Sequence, residues 1–595
     1  MAHRERLMRV ALGEEPADLA VVGGTLVNVL SGELHPADLL IKDGLIAALR
    51  DTGAEIAQGV QRIDAAGRYL VPGLIDPHMH MESSSVTPLE FARAVIPRGV
   101  TTVAIDPHEF GNVVGVAGMR ALLDAAEGLP LRVLLRVPAQ IPELPATLET
   151  PGATVSVAET AAMLDWPEAV CLAGDITPAI IVQRDPAQLE RMAATIASGK
   201  IISGYVPQVG PAKTDAMVAA GVGDSHVPKT VEELVSNIRH GLHVLLTPRP
   251  GRFEAADFEE LGRLIKDRAI DARRISLCTD DVLVHELLVD GHVDSRLRLA
   301  LRSGIPPVTA VQMATRNTAE LLRLDETLGA LAPGRVADVA IVSDLVSFTV
   351  ERVLAAGRLV AENGRYLPED TGRRLPSLVK STVHCTAPED AAALAIPSSG
   401  GAGSIECRVL VATHPKTVAN RFLPVHGGLI HPDVQNGVMA LAVLERYHGS
   451  KRIGRGFVEG YGLKRGAVAS STNHNSHHVF ALGTNFEDML IALERLIALQ
   501  GGYVAALDGR VAAEVPLPVI GMISELPAQD LAAQITHFEG VLMDDLGCAV
   551  SRRPLYALNF ICSPVVMNYG MTDLGLVDSA NLRLVDVVLN VGAAA

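Results

Sequence analysis

Gly73-Leu-Ile-Asp-Pro-His-Met-His-Met-Glu-Ser-Ser84 decides how the chain is read. An apolar run, Leu70 to Ile75, ends there in alternating polar residues. Successive side chains of an extended strand point to opposite faces, so His78 and His80 project the same way. Two imidazoles side by side at a strand end make a metal clamp suited to Mn, Fe or Zn. Glu82 continues the alternation and is a candidate for proton transfer, a solvated loop glutamate being the alternative.

Downstream, further apolar strands recur between helical patterns. The candidates are Val100 to Ile105, Leu131 to Val137, Val170 to Ala173, Ile201 to Tyr205, Gly221 to Gly223, Val244 to Thr247 and Ile275 to Thr279. Helical patterns lie between several of them, at Val114 to Glu127, Pro186 to Ser198 and Val231 to His240. That alternation over residues 71–329 predicts a (β/α)8 barrel, whose chemistry sits at the C-terminal ends of its strands. A doubly wound sheet would want a glycine-rich phosphate loop after its first strand, and none is present.

Residues 1–70 read as short strands, among them Ala17 to Val22 and Asp38 to Gly44, with echoes at Ala337 to Val342 and Val353 to Val360. One small β domain built from 1–70 and 330–375 is expected, followed by a C-terminal α+β domain over 376–595. Within the latter, Pro388 to Gly403 reads as a linker or mobile loop. Thr484-Asn-Phe-Glu487 reads as a capping box ahead of Met489 to Gln500, and Tyr503 to Val515 as a hairpin.

The chain has 595 residues, 48% of them apolar, with a formal net charge of −17 and 3% aromatics. Such an acidic chain poor in aromatics is ill suited to nucleic acid or an anionic membrane surface. No apolar run is long enough to span a bilayer. Six cysteines without a CxxC pair point to a reduced, cytoplasmic protein.

Other strand ends add candidates. Cys278-Thr-Asp-Asp281 follows the last strand; Asp280 is read as the base that takes a proton from activated water and later releases it. A helix N-cap is the bland alternative for either aspartate. Asp106-Pro-His-Glu109 closes the second strand, bringing His108 and Glu109 to the same face, or else simply forming a turn. His226 is a candidate ligand from a later strand, and His292 either reaches substrate or caps a helix. His240 and His243 read as structural. Asn473-His-Asn-Ser-His-His478 reads as a polar loop that stays in solvent or closes over the site.

These motifs, with Gly291-His-Val-Asp294, Gln312-Met-Ala-Thr-Arg-Asn317, Arg452 to Val458, Gly462 to Ser471 and Pro516-Leu-Pro518, resemble the adenine deaminase family of the amidohydrolase superfamily over nearly the whole chain. The resemblance implies a metal-dependent barrel that hydrolyses adenine to hypoxanthine and ammonia with metal-activated water, in purine salvage or catabolism. It implies His78, His80, Asp280, Asp175 and His226 at the metal, with Mn2+ or Fe2+ ahead of Zn2+. It also implies Asp280 and Glu82 in catalysis, and His108, Glu109, Asp281, His292, His474 and His477 around a purine base. A homo-oligomer is expected.

The middle of the barrel departs from the family pattern. Asp175 stands where the family has a bridging glutamate, and Tyr205 where it has a ligand histidine; Asp224-Ser-His-Val227 keeps His226 but lacks the following acid. One tightly held metal is therefore expected. Two alternatives stand beside deamination of adenine: an amidohydrolase acting on another heterocycle, and a degenerate member that binds purine or metal without turnover. Cyclic amidases that resemble this fold use a carbamylated lysine, and residues 169–183 contain none.

Overall fold

The computed structural model describes residues 2–249, 252–369, 372–398, 403–412, 416–474, 476–565 and 568–589, apart from the side chains of residues 2, 174 and 175. The central element is an eight-stranded parallel sheet in strict sequence order. Its strands are Leu74–Met79, Val100–Ile105, Arg132–Val137, Ala169–Ile176, Ile201–Gly204, Val222–Ser225, His243–Leu246 and Ile275–Leu277. A bridge between Met79 and Asp280 draws the last strand back to the first, with Asp280 N donating to His78 O at 3.1 Å and His80 N to Asp280 O at 3.2 Å. The barrel is thus nearly closed, and its closure point is also where its histidines and aspartate stand.

The expected strand Leu70 to Ile75 is two strands. Tyr69–Pro72 pairs with Val339–Val342 in a separate sheet, and the barrel begins only at Leu74. Gly73 makes the switch at a tight crossing, where a Cβ would lie 2.2 Å from Thr101 Oγ1. That separate sheet has nine strands, drawn from residues 19–72 and 339–366. A helix, Ala2–Leu12, precedes it. The sequence reading missed that helix, in which charged residues interrupt the apolar ones.

Beyond it, a ten-stranded sheet spans Ile396 to Pro516 and a three-stranded sheet spans Tyr569 to Val585. The hairpin Gly502–Leu507 and Arg510–Pro516 forms about the Asp508-Gly509 turn. The helix expected from Met489 starts at Phe486, and its cap is Asn485, not Thr484: Asn485 Oδ1 accepts from Asp488 N at 2.7 Å. Thr484 Oγ1 donates to Gly466 O instead. A short turn, Ala391–Leu394, and a strand, Ile396–Pro397, occupy part of the expected linker, while 399–402 lie outside the described residues.

Candidate active site at the barrel mouth

His78 and His80 leave the first barrel strand side by side, as their spacing requires. Their rings lie 5.0 Å apart, and Asp280 Oδ1 stands 3.4 Å from His78 Nε2 and 3.2 Å from His80 Nε2. All three side chains are buried. His226, on the loop after the sixth strand, stacks at 4.4 Å on His78, and its ligand atom clusters with those of His78 and Asp280 within 4.8 Å. Asp175, the remaining expected ligand, lies outside the described side chains.

A second layer fixes these groups. His80 Nδ1 faces Asp106 O at 3.0 Å, which leaves Nε2 turned to Asp280. Asp76 accepts from His78 N and from Thr279 Oγ1, and His292 Nε2 lies 3.3 Å from its Oδ2. Neither Asp280 nor Asp281 caps a helix; the next one starts at Val284 after Leu283. Asp280 has φ near 59°, and its Oδ2 is paired to the Arg249 guanidinium. Asp281 accepts from Ser83 Oγ at 2.6 Å. Arg249, from the segment after the seventh strand, was not singled out in the sequence; its position at a strand end was the available signal.

The donor set fits a divalent cation. His78 Nδ1 and Nε2, and His226 Nδ1, are buried with no hydrogen-bond partner among the described residues. Burial pushes His78 down to about 4 and His226 well below the usual range, so both are neutral imidazoles with a lone pair to offer. Burial alone would lower His80 too, but the Asp280 and Asp281 carboxylates push it up to about 10. A field that attracts a proton so strongly attracts a cation as well.

Beside this cluster lies a small, partly open cavity. Its barrel wall includes Glu82, Ser83, Glu109 and Asp281; the far wall is made by Thr472, His474, Tyr503, Tyr556, Asn559 and Phe560. Phe560 stacks on His474 at 4.6 Å and on Tyr556 at 4.8 Å, giving an apolar face of aromatic rings. Of the expected substrate-contacting residues, Glu109, Asp281 and His474 line the cavity. His108, His477 and His292 stand behind that wall: His108 Nε2 is 3.3 Å from Glu109 Oε1, His477 is bonded to Glu109 Oε2, and His292 backs Asp76. Asn473, His477 and His478 are buried and His474 reaches the cavity, so these residues do not form a solvated turn; residue 475 lies outside the described residues. The aromatic wall was invisible in the sequence because it forms only when a distant segment docks.

A nearly closed eight-stranded parallel barrel with histidines and an aspartate gathered at its rim is an amidohydrolase fold, and residues 69–171 and 199–360 match the amidohydrolase family. Residues 415–583 match the adenine deaminase C-terminal domain. The chain is 35% identical over 596 residues to an adenine deaminase of Moorella thermoacetica, covering 98% of this chain and 97% of that one. It is 37% identical over 595 residues to adenine deaminase 3 of Rhizobium meliloti, covering 98% of each. Among solved structures, an adenosine deaminase from Xanthomonas campestris with bound zinc aligns at TM-score 0.45 and 17% identity, over 60% of this chain and 95% of that one. The chain belongs to the adenine deaminase family.

Proposed function

We propose that this protein hydrolyses adenine to hypoxanthine and ammonia. The observation that carries the reading is the buried cluster of His78, His226 and Asp280 beside a cavity with ionisable groups on the barrel side and aromatic rings on the other. A divalent metal held by His78, His80 and Asp280, with His226 beside them, would supply Lewis-acid activation of the attacking water. Mn2+ or Fe2+ is the ion proposed on the family resemblance; imidazole and carboxylate donors suit Zn2+ as well.

The chain's own groups account for the protons. Glu82 is fully buried, and burial followed by the neighbouring Glu109 charge pushes its carboxyl up to about 8, so it holds a proton at neutral pH. As water attacks C6, Asp280 takes one of its protons and Glu82 protonates N1. Asp280 then delivers its proton to the amino group, ammonia leaves, and the C6 hydroxyl returns a proton to Glu82 as the carbonyl forms. Burial raises the Asp280 carboxyl, but Arg249, His78 and His80 together outweigh it and hold it well below the usual carboxylate range, so a proton collected there is readily passed on. Asp281, Glu109 and His474 contact the base along the cavity wall, with His108 and His477 positioning Glu109 while His292 backs Asp76.

We further propose a division into a β unit from 1–72 and 330–375, a barrel from the Gly73 switch to 329 and a C-terminal unit from 376, in a cytoplasmic protein. No described helix is long and apolar enough to cross a membrane, and all six cysteines are free thiols. The deciding experiment is ammonia release from adenine, adenosine and other amino-heterocycles with Mn- and Fe-loaded protein. Release from adenine alone is expected. No release from adenine with either metal, by folded and loaded protein, would overturn the reading.

A further inference from the structure

Asn559 ends the short helix Pro554–Asn559 and lines the cavity beside Thr472 and Tyr503. Its amide is held in one orientation. Tyr503 Oη donates to Asn559 Oδ1 at 2.9 Å, and Thr472 Oγ1 donates to the same oxygen. Ser470 Oγ accepts from Thr472 N at 3.0 Å and lies 2.8 Å from Thr472 Oγ1, so its hydroxyl can donate there and free the Thr472 proton for Asn559. Burial pushes the Tyr503 phenol up to about 12, which keeps its proton in place as well. The backbone is tied too: His474 N donates to Asn559 O at 2.9 Å, and buried Lys416 Nζ donates to Phe560 O and, at 2.6 Å, to Ser563 O. With Oδ1 doubly engaged, both N–H bonds of Nδ2 are without a partner among the described residues, in a side chain that faces the cavity.

We infer that the Asn559 amide donates a hydrogen bond to a ring nitrogen of the bound base, N3 or N7, and so selects purines over heterocycles that carry a C–H group there. The inference rests on the adenine reading above, in which C6 and N1 are taken by the attacking water and by Glu82. N3 and N7 are the other ring nitrogens that keep a lone pair in the 9H form of adenine. An amide NH2 can only donate, so once its oxygen is fixed it matches a lone pair and cannot turn to suit a C–H edge. The barrel wall has the complementary polarity, since Glu109 and Asp281, when ionised, only accept. Phe560, the next residue in the chain, offers its ring face to the cavity. One turn, fixed from behind by Lys416, thereby supplies both a stacking face and an edge donor.

The test compares KM for adenine with the competitive inhibition constants of 3-deazaadenine and 7-deazaadenine. Wild type, Asn559→Asp and Asn559→Ala are measured, with thermal melts to establish folding. Asn559→Asp keeps an oxygen for Thr472 and Tyr503 and removes only the donor. Both variants should raise KM for adenine by about fivefold or more and change kcat by less than about threefold. The analogue that lacks the bonded nitrogen should bind variants and wild type within about twofold, while the other weakens as adenine does. In wild type that first analogue should already inhibit at least about fivefold more weakly than the other. An unchanged KM in both variants would overturn the inference. So would equal losses for adenine and both analogues, which is the mark of a merely structural role. If neither variant folds, equal inhibition of wild type by the two analogues overturns it. A wild-type protein that releases no ammonia from adenine would instead sink the adenine reading itself.

Discussion

Glu82 and Glu109 meet at the wall of one cavity and hold opposite proton affinities. Both are fully buried, and burial raises both. Glu109 is nevertheless held well below the usual carboxylate range by His477, His474 and His108, and its negative charge adds to the burial that pushes Glu82 up. Two carboxyls driven apart in this way divide acid work from anion work. Glu82→Gln should therefore lower kcat by about 10²- to 10⁴-fold, because the amide cannot shuttle a proton. Metal content should stay at the wild-type level. Steady-state rates and elemental analysis together check this; a variant with near-normal kcat would remove Glu82 from the chemistry.

Loss of either imidazole of the clamp should cost the ion. His78→Ala and His80→Ala should both fall to below a tenth of wild-type metal content, with activity falling in step. Circular dichroism should be unchanged, since the surrounding barrel core is apolar and extensive. Full activity in either variant would break the assignment of these histidines as ligands.

Asp280→Asn separates binding from proton transfer. The amide oxygen can still face a cation, and Arg249 would lose its ionised partner. Metal content should fall less than kcat, which should drop by about a hundredfold or more. Equal losses in both would make Asp280 a ligand without a proton-carrying role.

The part of the site that was legible in the sequence is the part set by local geometry. The i, i+2 spacing of His78 and His80 puts two rings on one strand face whatever surrounds them, and Asp280 follows because a barrel brings strand ends together. Glu109 and His474 were noticed as polar residues, but nothing local says that they touch; their 2.6 Å contact spans two docked units. Arg136, buried in the third barrel strand and donating to Pro77 O at 2.7 Å, was hidden for the opposite reason. A charge inside an otherwise apolar strand carries no period of its own, and its meaning depends on Ser203 and Asp224 from two other strands. The break at Gly73 was missed because two consecutive apolar strands, belonging to different sheets, read as one run.

Phe560 gives the cavity its flat apolar wall. Stacking of a base on an aromatic ring contributes about 1–3 kcal/mol. Phe560→Ala should therefore raise KM for adenine by roughly 5- to 100-fold, with a smaller effect on kcat, because the ring carries no proton. Steady-state kinetics with adenine checks this. A variant that lost kcat but kept KM would show that the ring organises the chemistry rather than the base.

Asp573 ties the C-terminal three-stranded sheet to the barrel. Thr150, from the loop after the third barrel strand, donates its N–H to Oδ1 at 3.0 Å and its hydroxyl to Oδ2 at 2.5 Å. His478 and Arg452 each approach at 3.3 Å. Burial alone would raise this carboxyl, but His478 and the Thr150 hydrogen bonds outweigh it and hold it well below its ordinary value. A carboxyl depressed in the folded state stabilises the protein fully above its unfolded value of about 4, and that contribution is lost as pH falls toward the folded value. Asp573→Asn should therefore melt several degrees below wild type at pH 7, corresponding to about 2–4 kcal/mol. The gap should narrow steadily from pH 5 to pH 3, because acid removes from wild type what the substitution has already removed. Melting curves across that range measure it. A gap of constant size down to pH 3 would show that shape, not ionisation, is what Asp573 contributes.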